Sequence, residues 1–377
     1  MRRASQTVLG VGVTEREIYL AREKKILTRL GGRYARRRRT FVCVPISVYI
    51  SAIRTHQVTG ISAMGYLARG TWVDEWYDTA SSGGRFVRQD SRFRSWVRRS
   101  GDYPPEPGRY HLYVSWACPW ASRTMIYRAL KGLKDKISVT VVDPLMLSHG
   151  WVIPSGADPV NHAEFLWQVY AKADLNYVGR VTVPVLWDRR RETIVNNESS
   201  EIIRMFDEWP GAPGPLFRPP ELASDIDALN AEIYPAVNNG VYRAGFATSQ
   251  TAYEEAYRDL FAMLDRLERR LGERSYLFGE QITEADWRLF TTLIRFDAVY
   301  YGHFKCNRDR LVDFPELWDY TRTLYQVSGV AETVHFDHIK THYYGSHRTI
   351  NPTGIIPAGP RIDYTAPTRR AVPKLGG

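Results

Sequence analysis

Cysteine is scarce in this chain of 377 residues: there are three, at positions 43, 118 and 306, and none stands in a Cys-x-x-Cys pair. Three scattered thiols exclude a disulfide framework and a cysteine-rich zinc site, so no metal is expected. They fit a reduced, intracellular compartment, which we take to be the cytoplasm. Long apolar runs are missing too. The mostly apolar stretch from Phe41 to Ile53 spans 13 residues, is broken by Pro45, and is too short to cross a bilayer as a helix. No internal repeat is present.

The net charge of +10 points towards nucleic acid, but it is unevenly placed. Residues 1–60 hold 13 Lys/Arg and three Glu, which accounts for the whole excess, and the rest of the chain is neutral. Within this leader Arg36 to Arg39 precede the apolar stretch, an order that mimics a secretory signal or an anionic-lipid patch. The run starts some 35 residues in, later than such signals do. We therefore expect residues 1–63 to be a poorly ordered extension, with no nucleic acid and no membrane among the partners. Met64 is the next methionine after Met1, and a start there would omit the extension.

Residues 64–108 mix aromatics (Trp72, Trp76, Tyr77, Phe93, Trp96) with turn residues, which predicts an irregular arm whose tryptophans pack on the core. From 109 to 210 strand and helix patterns alternate. Strands are expected at Tyr110–Trp116, Ile137–Val142, Val181–Trp187 and Thr193–Val195. Helices are expected after Cys118, near Ala163–Ala171 and from Glu198 to Phe206. This order is thioredoxin-like. Pro184 supports it: a proline within a strand pattern has no N–H for the ladder, and in such folds a cis-proline faces the cysteine, so Val183–Pro184 should be cis.

The Pro/Gly-rich stretch Pro210–Pro220 reads as a linker, and residues 221–330 turn helical. Thr251-x-x-Glu254 and Thr283-x-x-Asp286 look like capped helix starts. Leu260, Leu264, Leu267 and Leu271 form an apolar stripe. The tail, 331–377, has too little periodicity for further helices and should pack on the core. The fold class is therefore α/β plus all-α: a thioredoxin-like N-terminal domain followed by a helical C-terminal domain of the glutathione transferase type.

Cys118 is the candidate nucleophile. Pro119 fits the first helical position, where its missing N–H costs nothing, which leaves Cys118 at the helix cap facing unpaired amides and the positive dipole end. A thiol there is expected to acidify. The competing reading is a small buried core residue.

These features resemble the glutathionyl-hydroquinone reductases, the xi class of omega-like glutathione transferases. The resemblance runs from about Thr71 to Pro360. It is carried by Tyr110–Ala121 with its Cys-Pro-Trp-Ala, Asn196–Phe206, Val237–Phe246, His303–Cys306 and Thr349–Ile356. It implies that Cys118 is the nucleophile and glutathione the co-substrate. Glu198 and Ser199 would hold the γ-glutamyl group, although capping alone would also explain them. Val183 would pair backbone to backbone with the cysteinyl part, and Trp151 and Arg180 would line the same site. Tyr242 and Tyr343, with Tyr300 in support, would hold the hydroquinone oxygen, unless they are simply buried phenols. The resemblance further implies a homodimer and glutathionylated aromatic substrates. The same thiol would also serve a general omega-like thioltransferase or dehydroascorbate reductase, and a non-catalytic scaffold would need only the fold.

Overall fold

A computed structural model describes residues 65–375, so the basic leader lies outside the described residues. The first compact layer is a four-stranded sheet in the order β4-β3-β8-β9. Its strands are β3 (Tyr110–Val114), β4 (Ile137–Val141), β8 (Val185–Asp188) and β9 (Thr193–Asn196). β3 runs parallel to β4 and antiparallel to β8, and all five of its residues are buried. Its one polar member, His111, is satisfied by Ser138 and Thr140 at 2.7 and 2.9 Å.

β3 delivers the chain to helix α1 (Pro119–Leu130), with Cys118 extended at the cap and Pro119 opening the helix. Gly132, at φ +59°, lies just beyond the helix's end, a conformation that glycine takes without a Cβ clash. Helix α2 (Leu166–Ala173) follows, and α3 (Ser199–Asp207) crosses back to contact α1. The Val183–Pro184 peptide is cis, as expected.

The expected strand Val181–Trp187 is shortened at its start: only Val185–Asp188 joins the main sheet, and an unexpected strand before it, β7 (Val178–Arg180), belongs to another. Proline at the junction has no N–H with which to continue a ladder. β7 pairs instead with the arm, whose hairpin β1 (Tyr66–Ala68) and β2 (Thr71–Val73) completes a three-stranded sheet, β2-β1-β7. The arm is anchored by Trp72. Its indole N–H donates to the Ser148 carbonyl at 2.7 Å, and its ring lies where a Cβ on Gly150 would come within 2.7 Å. Gly150 and Trp151 form β6, the partner of β5 (Met146–Leu147).

The helical layer comprises α4 (Ala223–Ile233), α5 (Gly240–Gly245), α6 (Gln250–Gly272), α7 (Glu284–Leu293), α8 (Pro315–Tyr325) and α9 (Phe336–Ser346). The Thr283/Asp286 capping box is present. The start expected at Thr251 is shifted: Ser249, extended, caps α6 and accepts from the Ala252 N–H. Helix α9 corrects the expectation that the tail forms no further helices. Its buried face is Ile339, His342, Tyr343 and Ser346, which has helical spacing but is mostly polar, so hydropathy alone conceals it.

Candidate active site

Cys118 sits at the end of β3, 9% exposed, with Sγ 3.4 Å from the carbonyl oxygen of Val183 beside the cis-proline. The backbone leading to it is held by Arg295. This fully buried guanidinium donates to the carbonyls of Trp116 (3.0 Å), Ala117 (2.9 Å) and Thr291 (2.7 Å). The expected acidification of the thiol is corrected. Burial pushes Cys118 above the ordinary thiol value, although the amides of Ala121 and Trp120 and the guanidinium groups of Arg295 and Arg88 pull the other way.

Two adjoining chambers lie beside this residue. The larger is a cleft of about 860 Å³ running from Val183 and Pro184 to Glu198 and Ser199 at the start of α3. The smaller, about 80 Å³, contains Cys118 itself and ends in Trp151, Tyr242, Phe246, His342 and Tyr343. They share Tyr77, Arg88, Trp120, Arg180, Thr182 and Val183.

Glu198 both caps α3 and faces the larger chamber. One oxygen accepts from the Ser200 amide (3.0 Å) and hydroxyl (2.9 Å), and the other accepts from Ser91 at 3.3 Å. Burial raises its carboxyl, but the bonds from Ser200 and the nearby Arg123 and Arg94 outweigh this and hold it below the usual value, so it is an anion. Ser199 is the first helical residue, and buried Arg123 lies 3.4 Å behind its hydroxyl. The expected readings of capping and lining thus coexist at this turn.

Arg180 lies at the edge of both chambers, tied to the carbonyls of Glu75 (2.6 Å) and Trp76 (3.0 Å), with its guanidinium 4.2 Å from the Tyr77 ring. Trp151 lines the small chamber rather than the large one and stacks on His342, centroid to centroid 4.8 Å. Tyr242, Tyr343 and Tyr300 form a chain of phenols: Tyr242 and Tyr343 hydroxyls are 2.5 Å apart, and Tyr300 and Tyr343 hydroxyls 3.0 Å. Burial pushes all three well up, so they are neutral donors. Tyr300 lines neither chamber and touches the site through Tyr343 and the Tyr242 ring, 6.0 Å away between centroids.

The sequence reading missed Arg88, Asn239, Arg295 and the two histidines of the small chamber, His342 and His347. Arg88 gave no signal beyond lying among the arm's aromatics. Cys306 is buried behind the site and lines neither chamber, and burial pushes its thiol up. Among the described residues no group of His, Cys, Asp and Glu could hold a metal ion, and no helix is long and apolar enough to cross a membrane.

The buried histidines make stability depend on acid. Burial lowers His111 and His342 to about 4 and His303 to about 3. These groups are neutral when folded and protonate first when unfolded, so their stabilising effect is complete above pH about 6.5 and lost as pH falls towards the folded values. Each lost unit costs about 1.4 kcal/mol per group. Urea unfolding of residues 65–375 is expected to show a steep loss between pH 6.5 and 4, and a flat profile there would contradict the burial of these rings.

Comparison with known proteins agrees with this geometry. Residues 117–209 match the family model for the glutathione S-transferase N-terminal domain, and residues 250–323 match that for the C-terminal domain. Glutathionyl-hydroquinone reductase YqjG of Escherichia coli is 54% identical over 325 residues, 82% of this chain and 99% of that protein. Glutathionyl-hydroquinone reductase PcpF of Sphingobium chlorophenolicum is 52% identical over 305 residues, 79% of this chain and 96% of that protein. The glutathione-bound structure of YqjG superposes with a TM-score of 0.72 at 53% identity, covering 74% of this chain and 96% of that one.

Proposed function

Because the chain belongs to the glutathionyl-hydroquinone reductase family of xi-class glutathione transferases, and is therefore an enzyme, we propose that it reduces glutathionyl-hydroquinones to hydroquinones with Cys118 as the nucleophile. The observation that carries this reading is the position of Cys118 in an aromatic chamber that adjoins a polar cleft. A glutathionyl-hydroquinone has the same two-part character.

The glutathione half belongs in the larger cleft. The Glu198 carboxylate offers a counter-charge to the γ-glutamyl ammonium, and the α3 amides with Ser199 can receive its carboxylate. Val183 presents backbone to the cysteinyl part, and Arg180 closes the edge. Trp151 serves as the wall of the aromatic half. There Tyr242 and Tyr343 offer hydroxyls to the ring oxygen, with Tyr300 steadying Tyr343.

In the first step the Cys118 thiolate attacks the glutathionyl sulfur. A Cys118–sulfur bond forms while the sulfur–aryl bond breaks, and the aryl carbon leaves with the electron pair and is protonated to free hydroquinone. In the second, the thiolate of another glutathione attacks the same glutathionyl sulfur, releasing oxidised glutathione and the Cys118 thiolate. The aryl group is reduced, and one free glutathione leaves joined to the substrate's glutathionyl group as oxidised glutathione. No second protein thiol is needed, which suits Ala121 where dithiol enzymes of this fold carry cysteine.

Steady-state rates on a glutathionyl-hydroquinone and on a small glutathione mixed disulfide test the reading. A clear preference for the hydroquinone adduct is expected, and a preference for the disulfide would make the protein a general thioltransferase. The Tyr242→Phe and Tyr343→Phe proteins should each lose roughly 10²-fold in kcat on the hydroquinone adduct. Their Cys118 alkylation rates should stay at the parent value, because the phenols act on the ring oxygen and not on the sulfur.

A further inference from the structure

Both half-reactions move a negative charge through one place, the junction of the chambers. It starts on the Cys118 sulfur, passes through the glutathionyl sulfur to the aryl group, and in the second step returns to Cys118. The small chamber around the sulfur is walled largely by aromatic rings, where a charge is poorly solvated and gains from a fixed cation.

Arg88 stands at that junction. It comes from the arm and lines both chambers. Its guanidinium carbon lies 5.0 Å from the Trp120 ring and 5.1 Å from the Tyr242 ring, so it is stacked between the wall beside the sulfur and the phenol of the small chamber. Its Nε donates to Asn239 at 3.0 Å, and its terminal nitrogens have no hydrogen-bond partner among the described residues. The groups that act most strongly on its charge are Tyr77, Tyr234, Tyr242 and Cys118, and no carboxylate forms an ion pair with it among the described residues. A guanidinium tolerates this setting because it is weakly hydrated and stacks on aromatic faces. Arg88 also lies outside both matched family models, which begin at 117 and 250, so the common fold does not account for it.

We propose that Arg88 is the anion-holding residue of the reaction centre, balancing the charge on the Cys118 sulfur and on the groups that exchange with it. This rests on the nucleophile role given to Cys118. Arg295 also pulls on the charge of the sulfur, and more strongly than Arg88, but it lines neither chamber, and its bonds to three carbonyls fix it in the backbone behind Cys118. Arg180 lines both chambers but is held at their edge by two carbonyls, which leaves Arg88 as the cation whose terminal N–H groups can turn to the reacting groups. Tyr242, Tyr300 and Tyr343 are neutral phenols, and burial keeps His342 and His347 neutral.

The test is the rate of Cys118 alkylation by iodoacetamide against pH, assigned to the site by mass spectrometry, in the parent, Arg88→Met and Arg88→Lys proteins. The midpoint should rise by about one unit or more in Arg88→Met and return most of the way in Arg88→Lys. Turnover of glutathionyl-hydroquinone by Arg88→Met should fall by roughly 10- to 100-fold. A merely structural role would not move the alkylation midpoint. If Arg88→Met does not fold, Arg88→Gln, which can keep the Asn239 contact, reads the same loss of charge. An unchanged midpoint and turnover in the neutral variant overturns the Arg88 role while leaving Cys118 as nucleophile. A parent protein whose Cys118 does not alkylate at any pH overturns both.

Discussion

The Cys118→Ser protein is expected to turn over a glutathionyl-hydroquinone at least ~10³-fold more slowly than the parent while keeping its fold. A hydroxyl in this position has no general base beside it, since the groups around it are neutral phenols, backbone and the guanidinium groups of Arg88 and Arg295. It cannot form the sulfur–sulfur bond on which the first step depends. The substitution is otherwise mild, since serine keeps the shape of the side chain and its hydroxyl can take over the 3.4 Å contact with the Val183 carbonyl and face the same helix amides. Steady-state assays paired with thermal unfolding separate the two effects. Loss of turnover with an unchanged melting temperature is expected, whereas a Ser variant at parent speed would leave conjugation, with the protein activating glutathione by a hydroxyl, as the chemistry.

The largest expected loss of stability is at Asp286. Its carboxylate is fully buried and accepts from the Leu277 N–H (2.9 Å), the Thr283 N–H (2.7 Å), the Thr283 hydroxyl (2.7 Å) and the Tyr320 hydroxyl (2.8 Å). Alanine would orphan four donors in a dry core, at a cost of about 3–5 kcal/mol. Denaturant midpoints of the Asp286→Ala protein check this, with a change under about 1 kcal/mol contradicting the arrangement. The consequence reaches the site, because α7 leads into Arg295, which fixes the two carbonyls before Cys118. Activity should therefore fall at temperatures where the parent is still fully active.

What could be read in the sequence was local chemistry. Cys118 before Pro119, Pro184 opposite it, and Thr283 three residues before Asp286 each state a backbone requirement within a few residues. Those features stand where the sequence placed them. The hidden parts depend on long-range contacts. Helix α9 buries His342, Tyr343 and Ser346 against the aromatic chamber, so its inward face does not look apolar. β7 was not legible because its partner is the arm, over a hundred residues earlier. Arg88 has no motif, and its position follows from Trp72 and the other aromatics that lay the arm across the site. The direction of the Cys118 shift was misread for the same reason: a helix start is visible in sequence, and the burial that outweighs it is not.

The reaction is tested most directly by one turnover without free glutathione. Parent protein mixed with a stoichiometric glutathionyl-hydroquinone should release one equivalent of hydroquinone, and intact-mass and peptide spectra should show one glutathionyl group on Cys118, removable by added glutathione. Release of hydroquinone with Cys118 unmodified, or no release until glutathione is added, would contradict attack by Cys118 on the glutathionyl sulfur.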